Sequence, residues 1–195
     1  MAVKVQQVLE ILEQIAPPEL ACSWDNVGLL VDAGRPVTSI MTALDITADV
    51  VRDAAESGCE LIVSHHPVIF DPLRRVTAED VPAMLLQNGI SAICMHTNLD
   101  AAEGGVNDCL ARKLGLQDAE PFNEEKIGRI GTISCEKPLE EFLQDVVKLL
   151  GCRGLRYHSG ERPVRRVAVG GGACGEYIQR VIDLGCDTFV TSDLS

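Results

Sequence analysis

The sequence predicts an α/β protein made of two similar α/β halves, with parallel or mixed sheets covered by helices. Three observations carry this. Short apolar runs such as Leu61-Ile62-Val63-Ser64 and Ile90-Ser91-Ala92-Ile93-Cys94-Met95 have the length and composition of buried strands. Segments of helical period lie between them. The chain also repeats itself at an offset of 127 positions without a gap: Ile40 to Leu44 falls on Val167 to Gly171, Val51 to Glu60 on Ile178 to Asp187, and Leu61 to Ser64 on Thr188 to Thr191. Each copy reads strand, turn, helix of about ten residues, Gly-Cys-acid, strand, which is a βαβ unit.

The elements follow in order. An amphipathic helix spans 4–15, with Val5, Val8, Leu9, Leu12, Ile15 and Ala16 on its apolar face. A loop from Pro17 to Gly28 carries the single tryptophan, in Trp24-Asp25-Asn26. The first half runs over 1–117, taking in the first βαβ copy, a helix over Ala78 to Asn88, the strand ending at Met95 and a helix near Gly105 to Leu114. A polar connector covers Asp118 to Lys126. The second half, 126–195, holds a strand near Ile130 to Ser134, a helix from Pro138 to Leu150, a strand near Leu155 to His158 and the second βαβ copy. In that copy Ser192-Asp193 falls on His65-His66. The first half has about 50 further residues without a counterpart in the second, so a chain incomplete at its C-terminus, with an exposed sheet edge, is expected.

Composition narrows the function. Hydrophobic residues make up 46% and aromatics 4%, so the core rests on Val, Ile, Leu and Ala. Net charge is -12, from 17 basic and 29 acidic residues, which disfavours a nucleic-acid backbone over any broad surface. It leaves room for a single nucleotide held locally. No apolar run reaches the ~20 residues of a membrane span, and the N-terminus lacks the apolar stretch of a signal peptide. The eight cysteines are dispersed, with no Cys-x-x-Cys. Free thiols in a reducing, cytoplasmic setting are therefore expected.

The chemistry gathers at strand ends. His65-His66-Pro67 closes one apolar strand, and His96-Thr97-Asn98-Leu99-Asp100 closes another. Imidazole with carboxylate is the ligand set of a divalent transition metal, and ligands collect at the carboxyl ends of strands in open α/β sheets. Two neighbouring imidazoles can serve two metals, or a metal and a substrate; the bland alternative is a histidine pair satisfied in a turn. Asp100 is a candidate metal ligand or a helix cap. His96 is a third ligand, a group orienting one, or the candidate for catalytic proton transfer. Gly170-Gly171-Gly172-Ala173-Cys174-Gly175 matches a dinucleotide-binding fingerprint, but its repeat copy, Ala43 to Thr47, has no glycines, so a tight strand-to-helix turn is the better reading. Trp24 reads as an indole packed on the core, or else as a stacking surface for a planar ligand.

Taken together these segments resemble the NIF3-like family, the GTP cyclohydrolase 1 type 2 homologues. The resemblance rests on Trp24-Asp25-Asn26-Val27-Gly28-Leu29-Leu30-Val31, Leu61 to Pro67, His96 to Asp100 with Gly104-Gly105-Val106-Asn107-Asp108, Gly170 to Gly172, and Val190-Thr191-Ser192-Asp193. It implies two α/β halves, a dinuclear divalent-metal site between them and a ring-shaped homohexamer. Carried over, it implies that His65, His66 and Asp100 are metal ligands. The family's remaining His-x-x-x-Glu pair has no match after residue 158, and the short connector has no room for the domain inserted in longer members.

The first functional reading is thus a metal-dependent hydrolase-like protein that opens the ring of a small-molecule substrate such as GTP. An alternative is a non-catalytic metal-binding or metal-delivery protein, followed by an NAD-binding oxidoreductase using the glycine turn and by a scaffold within an oligomer. The donor set suits Zn, Fe, Mn, Co or Ni about equally.

Overall fold

The computed structural model describes residues 1–194. It holds two compact units, Met1–Ala102 and Glu103–Ser195, each built around a four-stranded mixed sheet.

In the first unit the sheet order is β1-β4-β3-β2, from β1 (Gly28–Val31), β2 (Ile40–Ala43), β3 (Leu61–Ser64) and β4 (Ser91–Cys94). Strands β2, β3 and β4 run parallel, and β1 adds to β4 antiparallel. Side chains alternate across a strand, and the two cores divide accordingly. Ile62 and Ala92 point to a cluster with Val51, Ala54 and Leu85, from helices α2 (Ala48–Glu56) and α3 (Val81–Gln87). Leu61 and Ile93 point the other way, to Val5 and Leu9 of α1 (Val5–Ile15). The central strands β3 and β4 are therefore apolar but for one buried serine each, because both faces are covered. Of the predicted apolar face of α1, Ile15 is exposed and the last turn closes through buried Ala16 instead. A five-residue helix, α4 (Thr97–Ala101), follows β4 directly.

The second unit has the order β5-β6-β7-β8, from β5 (Gln117–Glu120), β6 (Arg129–Lys137), β7 (Val164–Ala173) and β8 (Thr188–Asp193). Only β7 and β8 are parallel. Val167 and Val169 face Ala111, Leu114, Phe142 and Val146, from α5 (Val106–Lys113) and α6 (Leu139–Leu150). Ala168, between them, faces Phe122 and Val181, the latter on α7 (Ile178–Asp183). Helix α5, which the sequence grouped with the first half, packs here, so the division between units precedes it.

Several local expectations change. Part of the 118–126 connector is strand β5, paired with β6, and Phe122 beyond it is buried. No strand forms over 155–158; Leu155 packs against the core without ladder bonds. The strand runs further into the glycine segment than expected: Gly170, Gly171 and Gly172 lie inside β7, Gly172 with φ of +75°, and a 3-10 turn, Gly175–Tyr177, then leads into α7.

The repeat is physical. In the first copy Ile40 pairs with Leu61 and Ala43 with Ser64; in the second, Val167 pairs with Thr188 and Gly170 with Thr191. The registers are the same at the 127-residue offset. The Glu60 carboxylate accepts from the backbone N–H of Thr38 (2.9 Å) and Ser39 (3.1 Å). Asp187, its counterpart, accepts from Arg165 (3.0 Å) and Arg166 (2.8 Å). Gly58 and Gly185 end the two helices with φ of +70° and +73°, a left-handed stop that a side chain resists. A shared register and a shared carboxylate clamp exceed what two unrelated βαβ units have in common.

Candidate metal centre

The β2–β3 ladder continues past the end of β3. His65 N–H donates to Ala43 O (3.2 Å) and His66 N–H to Leu44 O (2.9 Å). Ser64 Oγ closes the turn by donating to His66 O (2.8 Å), and the Cys94 thiol donates to His65 O (3.1 Å). Both imidazoles thus leave a backbone held on two sides. Burial pushes the Cys94 thiol up to about 12, with Asp25 adding to the effect, so this sulfur is a structural donor and not a nucleophile.

His96 is placed by the loop that precedes β1. The Asp25 carboxylate accepts from His96 Nδ1 (2.9 Å), from Thr97 N–H (3.0 Å) and from the Thr97 hydroxyl. Cys22 N–H donates to Thr97 Oγ1 (2.9 Å), and Asn98 Nδ2 donates to Ala16 O (2.8 Å). Helix α4 is so pinned by its first two residues, which fixes His96 before it and Asp100 within it. Burial acts to raise the Asp25 carboxyl, but hydrogen bonds from His96, the Thr97 side chain and the backbone of Thr97 and Asn26 outweigh it and hold it below the ordinary carboxylate range.

His65, His66 and His96 converge. One ring nitrogen from each lies within 4.8 Å of the others, a group that could hold a metal ion. Their ring centroids are 5.1 to 5.6 Å apart. All three Nδ1 atoms face oxygens that only accept: Met95 O for His65 (3.0 Å), an Asp45 oxygen for His66 (2.7 Å) and an Asp25 oxygen for His96. Each Nδ1 therefore carries the proton, and each Nε2 lone pair is left for a ligand. Asp100 Oδ1 lies 3.8 Å from His65 Nε2. Asp100 is buried, and that burial raises its carboxyl against the pull of His65 and His96. It sits within α4, and the N-cap position of the next helix, α5, is Gly105, so Asp100 is not the capping residue of that helix. Three imidazoles with fixed tautomers and a nearby carboxylate fit a divalent transition metal.

All four residues picked from the sequence thus meet in the first unit. Sequence reasoning missed Asp25 and Asp45, which orient His96 and His66. Their only signal was position: Asp25 in the Trp-Asp-Asn loop, Asp45 just past a strand end. Trp24 does not pack on the core; it is 60% exposed, with its ring centroid 6.2 Å from that of His96. None of the eight cysteines is in a disulfide among the described residues. Among the described residues, no helix is long and apolar enough to cross a membrane.

Comparison with known proteins agrees with this architecture. A protein of Clostridium perfringens (strain 13 / Type A), named GTP cyclohydrolase 1 type 2 homolog, is 33% identical over 202 residues, covering 97% of this chain and 77% of its own length. One of the same name from Clostridium acetobutylicum is 31% identical over 208 residues, covering 100% of this chain and 78% of its own. In structure, the Staphylococcus aureus hypothetical protein SA1388 superposes with a TM-score of 0.89 at 29% identity, over 100% of this chain and 80% of its own. A Bacillus cereus protein related to NIF3 gives 0.88 at 23% identity, over 97% and 82%, a likeness of fold. The family described as Duf34/NIF3 (NGG1p interacting factor 3) matches residues 3–195, and with these relatives that match makes the chain a member of the Duf34/NIF3 family.

Proposed function

We propose that this chain is a metal-dependent hydrolase-like protein that opens the ring of a purine nucleotide such as GTP, with His65, His66 and Asp100 as metal ligands. The observation that carries the reading is the shared orientation of the three histidines, each with Nδ1 held by an acceptor and Nε2 left over. A divalent ion held there supplies Lewis acidity toward a water or a substrate oxygen. The choice of substrate is suggested by the names of the relatives. His96 Nε2 is the proton carrier in this reading, with Asp25 stabilising the imidazolium that forms when it accepts a proton. Two divalent ions per subunit (Zn, Fe, Mn, Co or Ni), a ring-shaped homohexamer and a cytoplasmic setting belong to the same proposal.

A second reading, metal handling without catalysis, is favoured by one observation. The carboxylates of Asp25 and Asp45 are both committed to histidines, and neither stands free as a general base.

Elemental analysis of the purified chain beside a His65→Ala/His66→Ala variant tests the centre. One or two transition-metal ions per chain, lost in the variant, are expected; equal metal in both, or none in either, sinks it. His96→Ala should keep the metal and lose turnover if His96 carries protons, and should lose both if it is a ligand. Metal-loaded protein that leaves GTP intact favours the handling reading.

A further inference from the structure

Four of the chain's seven aromatic side chains are phenylalanines, and Phe122 and Phe142 are buried. Trp24 and Phe70 do the opposite. They are 60% and 50% exposed and lie against each other with ring centroids 6.0 Å apart at 53°. The loops bearing them are tied, since Asn26 Nδ2 donates to Ile69 O (2.6 Å). Trp24 also precedes Asp25, the residue that holds His96, and its ring meets that of His96 nearly edge-on, at 73°. An exposed aromatic pair, braced by hydrogen bonds and abutting the imidazole group, offers flat apolar surface where a reacting ring would need it. Arg74 and Arg75 follow on the same exposed loop of an otherwise acidic chain.

Resting on the histidine group as the reaction centre, we propose that Trp24 and Phe70 form a stacking wall that captures the purine ring of a nucleotide beside His96. The wall is a binding and specificity element, and it does not require the metal. Stacking of a base on an aromatic side chain is sequence-tolerant because every base has a π face, so the wall selects for a planar ring and leaves finer discrimination to other groups.

Trp24 is the sole tryptophan, so its fluorescence reports on this wall alone. Guanosine should quench its emission saturably with or without metal, GTP should do so as well, and inorganic tripolyphosphate should not. By calorimetry, Trp24→Leu should bind GTP about tenfold or more weakly, Trp24→Phe should recover most of that affinity, and both should match the wild type in metal content and melting temperature. Absence of guanosine quenching together with equal GTP affinity in Trp24→Leu overturns the proposal. So does Trp24 emission that is blue-shifted and varies with protein concentration, which would make a second copy of the chain the occupant. Ring capture by a chain that takes up no transition metal on titration sinks the metal reading alone; metal binding without ring capture sinks the stacking wall alone.

Discussion

Asp25 reaches 71 positions along the chain to accept a hydrogen bond from His96 Nδ1 at 2.9 Å, and the same carboxylate accepts from the first N–H of the helix that carries Asp100. One side chain therefore sets both the tautomer of the third histidine and the placement of the neighbouring acid. Asp25→Ala should lower metal affinity about 10- to 100-fold, the usual effect of removing a group that orients a ligand. The measurement is competitive metal titration against a chelator, beside circular dichroism. Unchanged affinity in a folded variant would show that His96 and Asp100 are oriented by other groups.

Glu60 predicts an acid-range effect. Backbone N–H bonds from Thr38 and Ser39 hold its carboxyl below the ordinary value of 4.5. A depressed folded-state value means the clamp contributes fully above the unfolded value and is lost as pH falls through the folded one. Glu60→Gln should therefore melt lower than wild type at neutral pH, and the gap should close as pH falls below about 4.5. Parallel melting curves across that range would refute the linkage.

Arg129 is buried and donates to the Asp108 carboxylate and to the carbonyls of Lys126 (2.7 Å) and Gly128 (2.9 Å). Asp108→Ala removes this carboxylate from the guanidinium. Breaking a buried pair costs about 3 to 5 kcal/mol; Asp108 is partly exposed, so a loss of about 2 kcal/mol is expected in urea unfolding. Arg129→Met in the same background should recover part of it.

Gly170 separates two readings of the glycine run. A Cβ at this position would sit 2.7 Å from Cys174 Sγ, so overpacking should cost Gly170→Ala about 1 to 3 kcal/mol. The double variant Gly170→Ala/Cys174→Ala should be more stable than Gly170→Ala alone, because the sulfur that clashes is gone. If the single variant is as stable as wild type and instead loses NAD-induced thermal protection, the dinucleotide reading returns.

The central strands were legible because burial on both faces leaves an unbroken apolar signature, as in Leu61 to Val63. The strand-end histidines were legible for the same reason: polar side chains stand out where such a run stops. The repeat was legible because Gly58-Cys59-Glu60 and Gly185-Cys186-Asp187 keep a turn that needs glycine. Strand β1 and helix α4 were not, since four or five residues carry too little period to read. The roles of Asp25 and Asp45 were hidden because each acts across the fold on a residue distant in sequence. The glycines of β7 suggested a turn, yet Gly170 still pairs opposite Thr191, and only at Gly172, with φ of +75°, does the strand leave the extended region.

The matched registers have one more consequence. The chain contains two castings of one frame, and the strand-end position carries His65-His66 in the first and Ser192-Asp193 in the second. The ladder through Ser64 and Thr191, the clamp and the helix stop survive that exchange, and the register shifts only beyond them in the second copy, with Ala173 opposite Asp193, so this shared frame does not depend on what the strand end displays. Chemistry at that position is a replaceable fitting on a standard mount. Histidines grafted at Ser192 and Asp193 should accordingly leave the second unit standing, giving an internal control for separating the stability of this fold from its reactivity.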